Sequence, residues 1–227
     1  MLRFLPIILL VAYAAAMWFF SAWRLKQELR EKSTPLKHPR LTPMLVRLGK
    51  AMDLPPVKAH VYEVEAVNGL AAPDGRIFLT RGFLDRLDKG EVTEEELASV
   101  IAHELGHVAH GHTRRRMVDF AGQNAIRFLL GGILGRFIPF GPWLANLVAA
   151  AVAARLSRED EFEADAFASA LMIKAGFGTE PQKNLFRKLN RLAGGRTTGM
   201  PVWFMSHPPA EKRIAAIELL EKKWQRI

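Results

Sequence analysis

His103-Glu104-Leu105-Gly106-His107 places two imidazoles four residues apart with a carboxylate between them. On a helix, positions i and i+4 share a face, so both rings can direct a nitrogen at one metal ion about 2.0 to 2.1 Å away. Glu104 then stands beside that ion without ligating it. There a carboxylate can accept a proton from water that the metal acidifies to a pKa of about 7. Histidine pairs on helices are more often surface residues, but Leu97, Val100, Ile101, Leu105 and Val108 recur around this pair at helical spacing. Buried imidazoles need partners, and a metal ion supplies one.

A catalytic zinc takes three protein ligands and keeps one position open. His110 and His112 are nearby candidates for the third ligand. A ligand at His110, three residues beyond His107, sits about 4.5 Å further along a straight helix, which strains the geometry. The better candidate lies downstream, in Ser157-Arg158-Glu159-Asp160-Glu161-Phe162-Glu163-Ala164-Asp165. Such an acidic run is ordinarily solvated surface, but it joins two apolar helical stretches. Glu161 and Asp165 are again i and i+4. Glu161 can ligate zinc, and Asp165 can accept a hydrogen bond from a ligand histidine and hold its tautomer.

The chain resembles the M48 family of gluzincin metalloproteases. The resemblance rests on His103 to His107, on Ser157-Arg158 followed by Glu161 to Asp165, and on Ser206-His207-Pro208-Pro209 with Arg213. Val67-Asn68-Gly69-Leu70-Ala71 followed by Gly75 to Thr80 also looks like the family's strand pair beside the cleft. Asn-Ala-Phe-Ala is commoner there, so Gly69 and Leu70 depart from the pattern. The resemblance implies a mainly α fold with a small antiparallel or mixed β-sheet, that is, an α+β zincin-like domain. It implies a zinc metalloendopeptidase holding one Zn2+ through His103, His107 and Glu161, with Glu104 as general base and Asp165 behind a ligand. His207 would stabilise the oxyanion or cap the metal, and Arg213 would support it. Asn68, Gly69, Leu70 and Ala71 would bind extended protein or peptide substrate, by strand pairing.

The elements that must position these groups are visible as patterns. Thr93 with Glu96 three residues on is a capping box opening the His103 helix. Leu41 to Met52 reads as a helix, followed by a short hairpin, and Pro209 to Trp224 as a C-terminal helix. Between the two halves of the site, residues 118–156 read as an apolar helical hairpin. Its second arm runs from about Pro142 into the helix bearing Glu161. It could enter a bilayer, cover the cleft or join copies of the chain into a homo-oligomer.

From Phe4 to Trp23 the chain has no formal charge, enough at 1.5 Å per residue to cross a hydrocarbon core of about 30 Å. Residues 1–23 are therefore expected to be an uncleaved N-terminal transmembrane anchor. Ala12-Tyr13-Ala14 offers the competing reading of a signal-peptide cleavage site. Residues 24–40 read as a basic linker and 41–227 as the peptidase domain. Positive charge after the anchor places that domain on the cytoplasmic side of the membrane. The net charge of +9 concentrates after the anchor, in Arg114-Arg115-Arg116 and in Lys222-Lys223, which suits lipid headgroups. No basic-aromatic nucleic-acid motif occurs, so no nucleic-acid partner is expected, and the absence of cysteine fits either redox compartment. The function expected is proteolysis in protein quality control or processing. An inactive chaperone or adaptor for unfolded chains is the alternative, though such a binder has no need of Glu104.

Overall fold

A computed structural model describes residues 5–72, 74–112, 115, 141–194 and 209–224. The chain divides into two compact units, Met1–Glu31 with Gly111–Ser157 and Lys32–His110 with Arg158–Ile227.

The first unit contains helix α1 (Leu5–Glu31). Its apolar part leaves Ile8, Leu9, Tyr13, Phe19, Phe20 and Trp23 exposed. Among the described residues no helix is long and apolar enough to cross a membrane. Within the span read as a linker, α1 runs on to Glu31 and residues Ser33–Pro35 enter a sheet of the second unit. The first arm of the expected hairpin lies outside the described residues.

The second unit carries that four-stranded mixed sheet. Strands β1 (Ser33–Pro35), β2 (Ala59–Tyr62), β3 (Gly69–Ala71) and β4 (Ile77–Thr80) lie in the order β1-β2-β4-β3. β1 pairs antiparallel with β2 (Thr34 opposite Val61), and β2 pairs parallel with β4 (Val61 opposite Leu79). β3 pairs antiparallel with β4 (Gly69 opposite Leu79), leaving β3 at the sheet's end. Pro35, which cannot donate to a ladder, is tolerated because β1 is the other edge. β4 is buried at all four positions, as a central strand covered on both faces must be.

Helices α2 (Thr42–Ala51), α3 (Arg81–Asp88) and α4 (Glu94–Ala109) follow; α3 packs on β4, α4 packs on β3 and β4, and α2 packs on α4. The capping box at α4 is formed. The Glu96 amide donates to Thr93 Oγ1 at 3.2 Å, and the Thr93 amide donates to Glu96 Oε2 at 3.0 Å. Lys188 Nζ adds an ion pair to Glu96 at 2.7 Å, so a carboxylate that satisfies a helix end also ties α4 to a later helix.

A single helix, α5 (Gly141–Lys174), carries the apolar stretch directly into the acidic one, and α6 (Glu180–Gly194) and α7 (Ala210–Trp224) complete the domain. Leu48, Ile77, Leu79, Phe83, Leu97, Ile101, Ala168, Met172, Leu185 and Ile217 form one continuous core from α2, the sheet and helices α3 to α7. The apolar face of α4 is what fastens the histidine pair to it.

Candidate metal centre

His103, Glu104 and His107 project from α4 with 2%, 3% and 5% exposure. The Nε2 atoms of the two histidines stand 3.1 Å apart. Glu161, on α5 and fully buried, places Oε2 at 3.4 Å from His103 Nε2 and Oε1 at 3.4 Å from His107 Nε2. Donors around a tetrahedral ion with bonds of about 2.0 to 2.2 Å stand about 3.3 to 3.6 Å apart, so these separations fit one zinc ion within a few tenths of an ångström. Two imidazoles and a carboxylate are also a donor set that zinc accepts at catalytic sites. His110 lies outside this trio, exposed at the C-cap of α4 with its ring against Phe167, and His112 lies outside it too.

Helices bearing the two halves of the trio must come unusually close, and Gly106 lets them. A Cβ on Gly106 would stand 2.9 Å from both the Cα and the carbonyl oxygen of Ala164 on α5. Those are backbone atoms, so they have no side-chain freedom with which to yield.

Behind His103 lies a buried polar network. His103 Nδ1 is 3.0 Å from Asp165 Oδ1. Arg213, from α7, donates to the same carboxylate through Nε to Oδ2 at 2.7 Å and Nη2 to Oδ1 at 2.6 Å. Burial opposes charge on Asp165, but the neighbouring guanidinium and its hydrogen bonds win and hold the carboxyl down to about 2. An ionised carboxylate only accepts, so His103 donates from Nδ1, and in the neutral ring Nε2 is then the lone-pair nitrogen facing Glu161 and His107. Arg213 Nη2 also lies 3.3 Å from His103 Nδ1. With both groups donors, that approach is a consequence of sharing Asp165 Oδ1. Burial likewise opposes a proton on His103, yet Asp165 and Glu161 raise its pKa to about 9 in the metal-free site. A cation is what this cluster of carboxylates favours, whether proton or metal.

The network extends further. Gln182 Nε2 approaches Asp165 Oδ1 at 3.3 Å, Ser169 Oγ donates to Gln182 Oε1 at 2.8 Å, and the Arg213 guanidinium lies 4.1 Å over the Phe186 ring. Arg213 was expected beside His207; its partner in the structure is Asp165, while His207 lies outside the described residues.

The strand pair beside the site is also present. The Asn68 amide donates to Thr80 Oγ1 at 2.9 Å, and the Asn68 carbonyl accepts from the Thr80 amide at 3.0 Å and from its hydroxyl at 2.9 Å. This clamp fixes the entry to β3. Leu70 and Ala71 are half-buried, whereas Gly69 is buried against α4.

The sequence profile described as Peptidase family M48 matches residues 35–221. The chain belongs to this family. As an M48 member it is a zinc-dependent metalloendopeptidase, and the His103, His107 and Glu161 donors are a site that can hold its metal. It is 33% identical over 181 residues to Metalloprotease LoiP of Escherichia coli, an alignment covering 78% of this chain and 68% of that one. It is 29% identical to the Protease HtpX homolog of Salinibacter ruber, covering 88% and 81% of the two chains. It is 28% identical to Mitochondrial metalloendopeptidase OMA1 of Schizosaccharomyces pombe, covering 84% and 56%.

Within this M48 domain, Gln182, Ser169 and Phe186 are the residues that sequence reasoning missed. Nothing in their local spacing marks them. Gln182 is buried on α6 beside Leu185 and Phe186, and a buried amide needs a partner, but the sequence does not say which.

Proposed function

We propose that His103, His107 and Glu161 are the zinc ligands of an endopeptidase in which Glu104 is the general base. The observation that carries this reading is the spacing of the three donor groups, the two Nε2 atoms 3.1 Å apart and each 3.4 Å from one oxygen of Glu161, with Glu104 buried beside them. Zinc held there would acidify water and polarise a substrate carbonyl. Glu104 takes the proton from the attacking water and returns it to the leaving amine. Asp165, held by Arg213, keeps the His103 proton on Nδ1 throughout, so the ligand nitrogen never carries it. His207 is assigned to the developing oxyanion on the motif alone.

Substrate is proposed to lie extended along the outer edge of β3. A strand edge recognises backbone, so the enzyme accepts unfolded or extended protein segments with little regard to sequence, as suits quality control or processing. A place at the membrane is part of the same reading. It is supported by the uncharged run Phe4 to Trp23, by the exposed aromatic residues of α1 and by the basic residues that follow, which favour a cytoplasmic catalytic domain. The apolar stretch before Glu161 is proposed to contact lipid or a second copy of the chain.

Glu104→Gln tests the chemistry. The variant should keep one zinc per chain while cleavage of casein falls to background. Undiminished cleavage would remove Glu104 from the mechanism.

A further inference from the structure

Thr80 stands at the N-cap of α3 with extended backbone, φ −73° and ψ 155°, yet its hydroxyl makes no bond to the helix. A threonine in this position ordinarily accepts a hydrogen bond from an amide of the first turn. Here the hydroxyl is turned to β3 instead. It accepts from the Asn68 amide at 2.9 Å and donates to the Asn68 carbonyl at 2.9 Å, and that carbonyl also takes the Thr80 amide at 3.0 Å.

The start of α3 is served by the loop that leads into the strand. The Gly82 amide donates to the Val64 carbonyl at 3.1 Å. A Cβ on Gly82 would collide with the Glu65 carbonyl oxygen and stand 2.8 Å from that of Ala66, so the loop backbone lies directly on the helix. Arg81 adds a two-point ion pair to Glu63, 2.8 Å on each oxygen. Residues 63–68 are thus gripped by α3, and Thr80 holds the end nearest the strand. A helix that gives up its cap breaks a local rule, and such departures gather where a site needs the group elsewhere.

Peptide geometry says what the grip controls. The Asn68 carbonyl and the Gly69 N–H are opposite ends of one planar trans peptide, so two bonds on the carbonyl also aim the N–H. Asn68 and Ala72 both bond towards β4, Ala72 through its amide to the Arg76 carbonyl at 2.8 Å. Main-chain groups alternate along a strand, which turns those of Gly69 and Ala71 to the outer edge. β3 has only three residues, so its register depends on its two ends. The bonds at Ala72 pin one end, and the Thr80 hydroxyl pins the other.

We propose that Thr80 is a positioning residue for substrate. The hydroxyl it withholds from α3 fixes the Asn68–Gly69 peptide and so aims the first main-chain groups of the β3 edge at an extended chain. The inference rests on the reading of β3 as the substrate edge.

The test uses the full chain, an unstructured fluorogenic peptide, the same peptide with backbone N-methyl groups on both sides of the scissile bond, zinc content and thermal melting. Thr80→Val keeps the shape and loses the hydroxyl. It should raise KM by about fivefold to twentyfold, the scale of one or two hydrogen bonds made poorly, with kcat within about twofold and zinc still at one per chain. Thr80→Ser restores the hydroxyl and should return KM to within about twofold of native. A clamp that served stability alone would lower the melting temperature and leave KM unchanged. Native KM in Thr80→Val therefore overturns the proposal, as does a Thr80→Ser enzyme as impaired as Thr80→Val. If Thr80→Val does not fold while Thr80→Ser does, the hydroxyl belongs to stability and the proposal falls. N-methylation should raise the native KM by about tenfold or more, since strand pairing needs backbone amides. No effect of N-methylation removes the strand-edge reading and the proposal with it, whereas an effect there with none in Thr80→Val removes the Thr80 proposal alone.

Discussion

Arg213 and Asp165 form a two-point ion pair, Nε to Oδ2 at 2.7 Å and Nη2 to Oδ1 at 2.6 Å, with each side chain 1% exposed. It joins α7 to α5 directly behind a histidine of the metal trio. Its position makes the last helix of the domain part of the site's support, although that helix contributes no group to the trio.

Removing one partner of a buried pair strands the other charge, which costs about 3 to 5 kcal/mol. Arg213→Met should therefore lower the melting temperature sharply. It should also weaken zinc binding by about tenfold to a hundredfold, because the Asp165 carboxylate that orients His103 loses the guanidinium that fixes it. Arg213→Lys should lie between, since an ammonium cannot span both oxygens in the same fork. Thermal melts and zinc competition with a chelating dye measure the two effects. Native zinc affinity in Arg213→Met would show that Asp165 needs no help to hold His103.

The third ligand can be assigned by metal analysis. Glu161→Ala should abolish stoichiometric zinc, and His110→Ala should leave it at one per chain, because His110 is exposed at the helix end and outside the trio. The reverse pattern would transfer the ligand role to His110.

Asp165 also sets an acid limit. Its folded pKa of about 2 lies below the unfolded value of about 3.9, so the ionised form is favoured by folding. The stability it contributes is complete above about pH 4 and is lost as pH falls from there towards 2, by about 2 to 3 kcal/mol in total. Urea unfolding of zinc-free protein, native against Asp165→Asn, should show a stability gap that is largest near pH 5 and narrows below about pH 4, because above about pH 5 the proton that Asp165 helps hold on His103 also titrates. A gap that widens as pH falls below about 4 would contradict the assigned direction.

Gly106→Ala introduces a methyl group against the α5 backbone. The cost should be about 1 to 3 kcal/mol, and zinc should bind more weakly because His107 and Glu161 are forced apart. Replacing Ala164 by glycine should not repair it, since the obstructing atoms are the Cα and carbonyl oxygen of residue 164. Melting and zinc titration of the single and double variants check this, and recovery in the double variant would mean the clash lies with the Ala164 side chain.

Much of the site could be read before any coordinates. The capping box from Thr93 to Glu96, the apolar spacing of α4 and the i, i+4 placement of His103 and His107 all depend on contacts within a few residues. So does the helix on which Glu161 and Asp165 stand one turn apart. Helical geometry alone relates such residues, and local sequence determines it. Within residues 24–40, Ser33–Pro35 pair with β2 at the sheet's edge, a long-range contact that local composition does not mark.

By itself, then, the sequence determined which residues share a helix face and which of them could carry chemistry together. Tertiary structure decided who meets whom across the fold. Arg213 meets Asp165, 48 residues away in the chain, because α7 packs against α6. Gly69 presses on Glu104 because the β3–β4 pairing turns that position onto α4. Neither relationship leaves a local pattern, because both arise from packing separate elements at van der Waals distance around one core.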